Sequence, residues 1–238
     1  MIEPVAVTTF GPMGWKPYAE KGIHSFCQHW PGPVIAYYED TQPDYQHERL
    51  EWRRLWECEG LMPVLDWAKK SPALQGRQPN GDYNYNFNLY KFCRKVFAQV
   101  DAGLRHCGQL WWLDADVILL KPIPTDVLDA ALANVYTCAL FREGFHIESG
   151  VVGWDTSHAI NNAFMNRYRD LFTSGTILQL PGYHDCWAYM EALTYTKAPY
   201  KNLSPEAKGH GPVIKMSPFR ALLTHDKGER KFGREQHE

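Results

Sequence analysis

No two of the six cysteines, at positions 27, 58, 93, 107, 138 and 186, form a Cys-x-x-Cys pair. That scatter fits neither zinc-ligand spacing nor a disulfide framework, and it reads as free, buried thiols in a reducing compartment. No apolar run approaches the roughly 20 residues of a membrane helix. The opening MIEPVAVTTF has neither the basic nor the long apolar region of a signal peptide. The expectation is a soluble, cytoplasmic protein with no membrane partner. Charge of one sign is also missing: the formal net charge is −2, which argues against a bulk polyanion-binding surface but leaves room for a local basic cleft. There is no internal repeat, and a single domain over residues 1–238 is expected.

What is present is a globular composition, 45% hydrophobic, 22% charged and 14% aromatic, with nine Trp and thirteen Tyr. Such an aromatic load serves core packing or stacking on a sugar or base. Pro4 to Phe10 reads as a buried strand closed by Gly11-Pro12. A helix from Pro17 carries Ile23, Phe26, Cys27 and Trp30, and Pro31-Gly32-Pro33 ends it. Val34 to Tyr38 is a second strand, ending at Glu39-Asp40. His47 to Lys70 is expected to be helical, with Trp52, Leu55, Trp56 and Glu59 on one face and a break or kink at Pro63. Residues 71–86 read as an exposed loop. Leu89, Phe92, Cys93, Val96, Phe97 and Val100 then form a continuous helical stripe, with Lys91, Arg94 and Lys95 off it. Strands follow at Leu110 to Leu113, Val135 to Phe141 and Gly150 to Trp154, and helices at Phe164 to Phe172 and Cys186 to Leu193. This alternation predicts an α/β sandwich around a mainly parallel sheet.

The strongest local signal is Trp111-Trp112-Leu113-Asp114-Ala115-Asp116-Val117-Ile118-Leu119-Leu120. A strand's period of two would place both carboxylates on one side, at the strand end where open α/β sheets bind ligands. Two neighbouring carboxylates repel unless a cation lies between them, and hard oxygen ligands suit Mg²⁺ or Mn²⁺.

The segment resembles the Asp-x-Asp motif of GT-A glycosyltransferases, whose aspartates hold a metal on the diphosphate of a nucleotide-sugar. Thr224-His225-Asp226-Lys227-Gly228-Glu229-Arg230-Lys231 is similar to the His-x-x-Gly-x-x-Lys element of family 8 members, although Phe232-Gly233 replaces their usual Pro-Trp. By that likeness Asp114, Asp116 and His225 are the metal ligands. Gly228 admits the phosphates, and Lys231, with Lys227, pairs with them. His146-Ile147-Glu148-Ser149-Gly150 matches a segment lining the donor sugar and acceptor. Glu148 is there a candidate base or electrostatic partner, or simply a turn residue, and Arg142 is a candidate for a phosphate or acceptor oxygen. Asp185, after Tyr183-His184, resembles an aspartate touching the donor sugar, or is only a helix N-cap. The likeness maps base and ribose contacts onto Thr8, Thr9 and Phe10 and onto Glu39 or Asp40. It places Lys91 or Lys95 beside the Asp-x-Asp. The whole layout also resembles compact GT-A-like proteins of bacteriophages.

The resemblance implies a Rossmann-like GT-A fold, Mn²⁺ or Mg²⁺, and a nucleotide-sugar donor, UDP-linked by family analogy. The acceptor is then a saccharide or other hydroxyl compound, or hydroxymethylated DNA. Arg77, Tyr83, Tyr85 and Phe87 of the loop are candidates to stack on a base or a sugar, or the loop is only a connection, and Lys201, Lys208, His210 and Lys215 make a weakly basic late segment. Two alternatives stand beside this: a haloacid-dehalogenase-like phosphatase, which also uses Asp-x-Asp after an apolar strand, and a non-catalytic nucleotide- or sugar-binding module.

Overall fold

The computed structural model describes residues 3–142, 147–207 and 213–225. β1 (Val5–Thr9) and β2 (Val34–Tyr38) are almost wholly buried strands of the β-branched and aromatic residues that suit a covered parallel sheet. They pair in parallel, and β1 pairs in parallel with β4 (Gln109–Leu113). Between β1 and β2 the chain makes a wide turn at Trp15–Ala19 before α1 (Glu20–His29), so the regular helix begins three residues after Pro17.

Residues 47–70 depart from expectation. Instead of one helix they form β3 (Leu50–Arg54), a single 3₁₀ turn (Leu55–Glu57) and α2 (Leu61–Lys69). β3 extends the sheet beside β2, with Trp52 opposite Ala36. Gly60 at φ 82° breaks any helix continuing from Leu55. Pro63 lies in the first turn of α2, where a missing N–H loses no intrahelical bond. The anticipated stripe is α3 (Leu89–Arg105), and all six of its apolar positions are buried. Asn88 caps it, accepting the Lys91 N–H at 2.9 Å.

The remaining elements are β5 (Val117–Leu119), α4 (Thr125–Leu132), β6 (Thr137–Phe141), β7 (Ile147–Asp155), α5 (Asn161–Thr173), α6 (Asp185–Thr196), β8 (Tyr200–Asn202) and β9 (Leu223–His225). The large sheet runs β3-β2-β1-β4-β7-β6-β8. β7 is antiparallel to both β4 and β6, and the other pairings are parallel. Strand alternation sends Val5, Val7, Leu110 and Trp112 into a core with α2, α3, α5 and α6. Ala6, Trp111 and Leu113 enter a second core with α1 and α4. The result is an α/β/α sandwich. All six cysteines are free, four of them buried and Cys107 exposed. No described helix is long and apolar enough to cross a membrane.

Candidate active site

β4 stops at Leu113, and Asp114-Ala115-Asp116 is a turn closed by the Val117 N–H on the Asp114 carbonyl at 2.8 Å. The two carboxylates are therefore brought together by a turn and not by strand periodicity. Past it the chain leaves the large sheet as β5, which pairs antiparallel with β9 and sets His225 opposite Val117. His225 Nε2 lies 3.1 Å from Asp116 Oδ1 and 3.8 Å from Asp114 Oδ2. One ligand atom from each of the three lies within 4.8 Å of the others. Gly150 makes this possible, because a Cβ there would sit 2.4 Å from His225 Cε1.

Lys95, in the second turn of α3, joins this trio to the next part of the site. Its Nζ is 2.7 Å from Asp114 Oδ1, 2.9 Å from Asp185 Oδ2, and 2.9 Å from both Oγ and O of Ser149. Burial works against the ammonium, but Asp114 and then Asp185 outweigh it and hold its pKa well above the usual lysine value. Burial likewise works against the Asp114 carboxylate; Lys95 and then His225 overcome it and hold the group at about 2. His184, Asp185 and Cys186 also present clustered ligand atoms, but the Lys95 ammonium already supplies the cation at Asp185.

A cleft of about 660 Å³ opens over these groups at the carboxyl ends of β1, β2 and β4. Thr9 and Phe10 line its far end; the Thr9 hydroxyl donates to the Tyr37 carbonyl at 3.1 Å. Thr8 is fully buried and lies off the cleft wall. Glu39 lines the cleft and lies 3.3 Å from Arg94 Nε. Burial raises the Glu39 carboxyl to about 7, Arg94 pulling it down and Asp40 adding to the rise. Asp40 is exposed and accepts the Trp56 indole N–H at 3.2 Å.

On the opposite wall Glu148 pairs with Arg142 at 2.9 Å, and of the two only Glu148 lines the cleft. Lys91 lines it too, its Nζ 4.7 Å from the Tyr85 ring centroid. Of the loop residues expected near an acceptor, Tyr85 lines the cleft, Arg77 and Tyr83 form an isolated bridge, and Phe87 packs on Tyr183. Lys227, Gly228 and Lys231, with His146, Lys208 and His210, lie outside the described residues.

Sequence reasoning missed Arg94, Ser149, Trp112 and Tyr18. Arg94 shares a helix face with Lys91 and carried a usable signal; Ser149 lay inside the Glu-Ser-Gly segment. Tyr18 had none, since the wide turn at Trp15–Ala19 delivers it to the cleft. Burial, then Asp116, Asp114 and Glu39, push its hydroxyl up to about 12, so it remains protonated.

No family model and no curated protein sequence matches the chain. Solved structures do. The apo form of the glycosyltransferase GlyE from Streptococcus pneumoniae TIGR4 aligns at TM-score 0.50 and 14% identity, over 84% of this chain and 45% of that one. Apo mouse xyloside xylosyltransferase 1 aligns at 0.50 and 11%, over 85% and 86%. The galactosyltransferase LgtC, in complex with donor and acceptor sugar analogues, aligns at 0.51 and 11%, over 94% and 87%. The chain thus spans about half the length of GlyE. Identities this low speak to architecture alone, and with the sheet order and the cleft at its carboxyl end they establish that the chain has the GT-A fold of the glycosyltransferases.

Proposed function

We propose that the chain transfers a sugar from a nucleoside diphosphate sugar, UDP-linked by analogy, to a hydroxyl acceptor, with Mn²⁺ or Mg²⁺ held by Asp114, Asp116 and His225. The observation that carries this is the meeting of those three groups, from a turn and a distant strand, in the cleft of a GT-A fold. The donor set suits the ion: two carboxylates and an imidazole match Mn²⁺. The described lining brings the carboxyl groups of Glu39, Asp114, Asp116, Glu148 and Asp185 to one cleft with Lys91, Arg94 and Lys95.

Bound there, the cation supplies Lewis-acid stabilisation to the departing diphosphate. Lys95 fixes Asp114 and Asp185 in one array. Thr9, Phe10, Glu39 and Arg94 form the end that accepts the nucleoside, while Lys227, Gly228 and Lys231 are assigned to the phosphates by motif likeness. Glu148 and Asp185 are assigned to the sugar side by motif likeness, with Glu148 as the base toward the acceptor or the electrostatic partner of the transferring sugar. A neutral saccharide or other small hydroxyl compound is preferred to a phosphodiester chain, since the net charge of −2 speaks against a bulk polyanion-binding surface. The GT-A fold removes the ground of the phosphatase alternative, which rested on Asp-x-Asp alone.

The test is turnover across a panel of nucleotide-sugars with and without Mn²⁺. A Lewis-acid contribution of several kcal/mol corresponds to a loss of about a hundredfold or more in Asp114→Asn and Asp116→Asn. Undiminished turnover in both would refute the reading. Tight nucleotide binding with no transfer or hydrolysis would support the binding-module alternative instead.

A further inference from the structure

The two oxygens of Asp114 face different neighbours. Oδ1 accepts the Trp112 indole N–H at 2.8 Å and lies 2.7 Å from Lys95 Nζ. Oδ2 is the oxygen turned to His225, 3.8 Å from its Nε2. Two donors on one oxygen hold the carboxylate in a single rotation and leave the other oxygen for a cation.

We infer that Trp112 is a positioning residue: its indole N–H sets the rotation of Asp114 and keeps Oδ2 turned toward His225, where a divalent cation would be held. This rests on reading Asp114, Asp116 and His225 as a metal centre. The Lys95 ammonium is shared: it donates to both O and Oγ of Ser149 at 2.9 Å and lies at ion-pair distance from both Asp114 Oδ1 and Asp185 Oδ2. The indole has one hydrogen, and it is given to Asp114. Trp112 is 1% exposed and lies under α3, with Lys95 Nζ 5.4 Å from its ring centroid. One side chain thereby supports the ammonium with its face and the carboxylate with its edge. A buried indole N–H needs a partner, and here that partner is a ligand of the proposed metal.

β4 provides its own control. Trp111 is fully buried on the opposite face of the sheet, and its indole N–H donates to Gln109 Oε1 at 3.3 Å, away from the trio. Trp112→Phe and Trp111→Phe remove the same group from equally buried rings, and only the first touches Asp114.

The experiment is Mn²⁺ titration by calorimetry of the intact wild-type protein, both Trp→Phe variants and Asp116→Asn, with urea unfolding of each. Loss of a group that orients a ligand weakens metal affinity by about tenfold or more. That loss is expected in Trp112→Phe and not in Trp111→Phe, whatever their shared loss of stability. In the metal-free protein, the indole ¹H–¹⁵N resonance missing from Trp112→Phe should move in Asp114→Ala. Equal affinities in the two Trp→Phe variants, or an unmoved resonance, would overturn the inference. With normal wild-type binding and a damaged Asp116→Asn, only the inference falls. If the wild type binds no Mn²⁺, the metal reading falls and takes this inference with it.

Discussion

Gly150 and His225 are in contact through a gap that only a hydrogen fits: a Cβ on Gly150 would lie 2.4 Å from His225 Cε1 and 2.7 Å from Nδ1. The imidazole reaches Asp116 by lying against the bare backbone of β7. Gly150→Ala should therefore displace His225 while leaving the strand's own pairing intact. The expected result is a loss of Mn²⁺ affinity like that of His225→Ala, at a cost in stability of about 1–3 kcal/mol for the overpacked site. Calorimetric titration compares the two variants. Wild-type affinity in Gly150→Ala would show that His225 does not need that space to bind.

Lys95 is the counter-charge of Asp185, a carboxylate 2% exposed and 2.9 Å away. Removing one partner of a buried pair leaves the other uncompensated, typically at about 3–5 kcal/mol. Lys95→Met should carry a cost of that order in urea unfolding. Lys95→Met combined with Asp185→Asn should recover part of it, because the more deeply buried of the two stranded carboxylates is gone. Equal stability of the single and double variants would rule out this pairing as the source. Turnover should stay low in both, since Asp114 also loses its ion pair.

These relationships show where the chain can be read directly. α3 was legible because its period-3.6 stripe belongs to one element that packs on one core. The segment from 47 to 70 was not. Trp52, Leu55, Trp56 and Glu59 mimic helical spacing, yet Trp52 lies in β3, Leu55 and Trp56 lie in a 3₁₀ turn, and Gly60 ends the pattern in a left-handed conformation. β3 is a strand because β2 offers it an edge, which is tertiary information. In the site, the motifs gave Asp114, Asp116 and His225 because their spacing is local to two short segments. The turn that makes the aspartates converge is a local bond without periodicity, and the β5–β9 pairing that delivers His225 joins residues about a hundred positions apart. Tyr18 left no trace because the wide turn at Trp15–Ala19 delivers it, while the Trp112 N–H acts on a carboxylate two residues on, where the turn after β4 and not any periodicity sets the contact.

Glu39 gives the molecule a pH dependence of definite sign. Its carboxyl is raised from 4.5 to about 7, chiefly by burial, against the pull of Arg94. A carboxyl whose pKa is higher folded than unfolded contributes most below the unfolded pKa, and that contribution is lost as pH rises through the folded pKa. The window is therefore about pH 4.5 to 7, and the full effect is about 3 kcal/mol at 1.36 kcal/mol per unit. Glu39→Gln carries no such titration. The stability of the variant relative to wild type should rise by that order between pH 4 and pH 9, measured by urea unfolding. A flat difference across the range would mean that Glu39 is charged at no cost in the fold.

Gly22 tests how the Asp-Ala-Asp turn is held in place. A Cβ on Gly22 would lie 2.3 Å from the Ala115 carbonyl oxygen and 3.0 Å from that of Val117. α1 thus rests directly on the backbone between the two aspartates, and the Ser25 hydroxyl of the same helix accepts the Leu119 N–H at 3.0 Å. The obstructing atoms are main-chain oxygens, which cannot swing aside as a side chain can. Gly22→Ala must push either the helix or the turn. Displacing the helix would cost stability, about 1–3 kcal/mol for an overpacked contact, and leave metal affinity unchanged. Displacing the turn would move Asp116 relative to His225. Both are anchored in one core, α1 by Ile23, Phe26 and Cys27 and the turn by Ala115 and Val117, so the strain is shared between them. The expected outcome is a loss of Mn²⁺ affinity alongside the loss of stability. A variant that unfolds earlier yet binds Mn²⁺ as tightly as wild type would show that the helix yields and that the turn is held by its own Val117–Asp114 bond and the β5–β9 ladder.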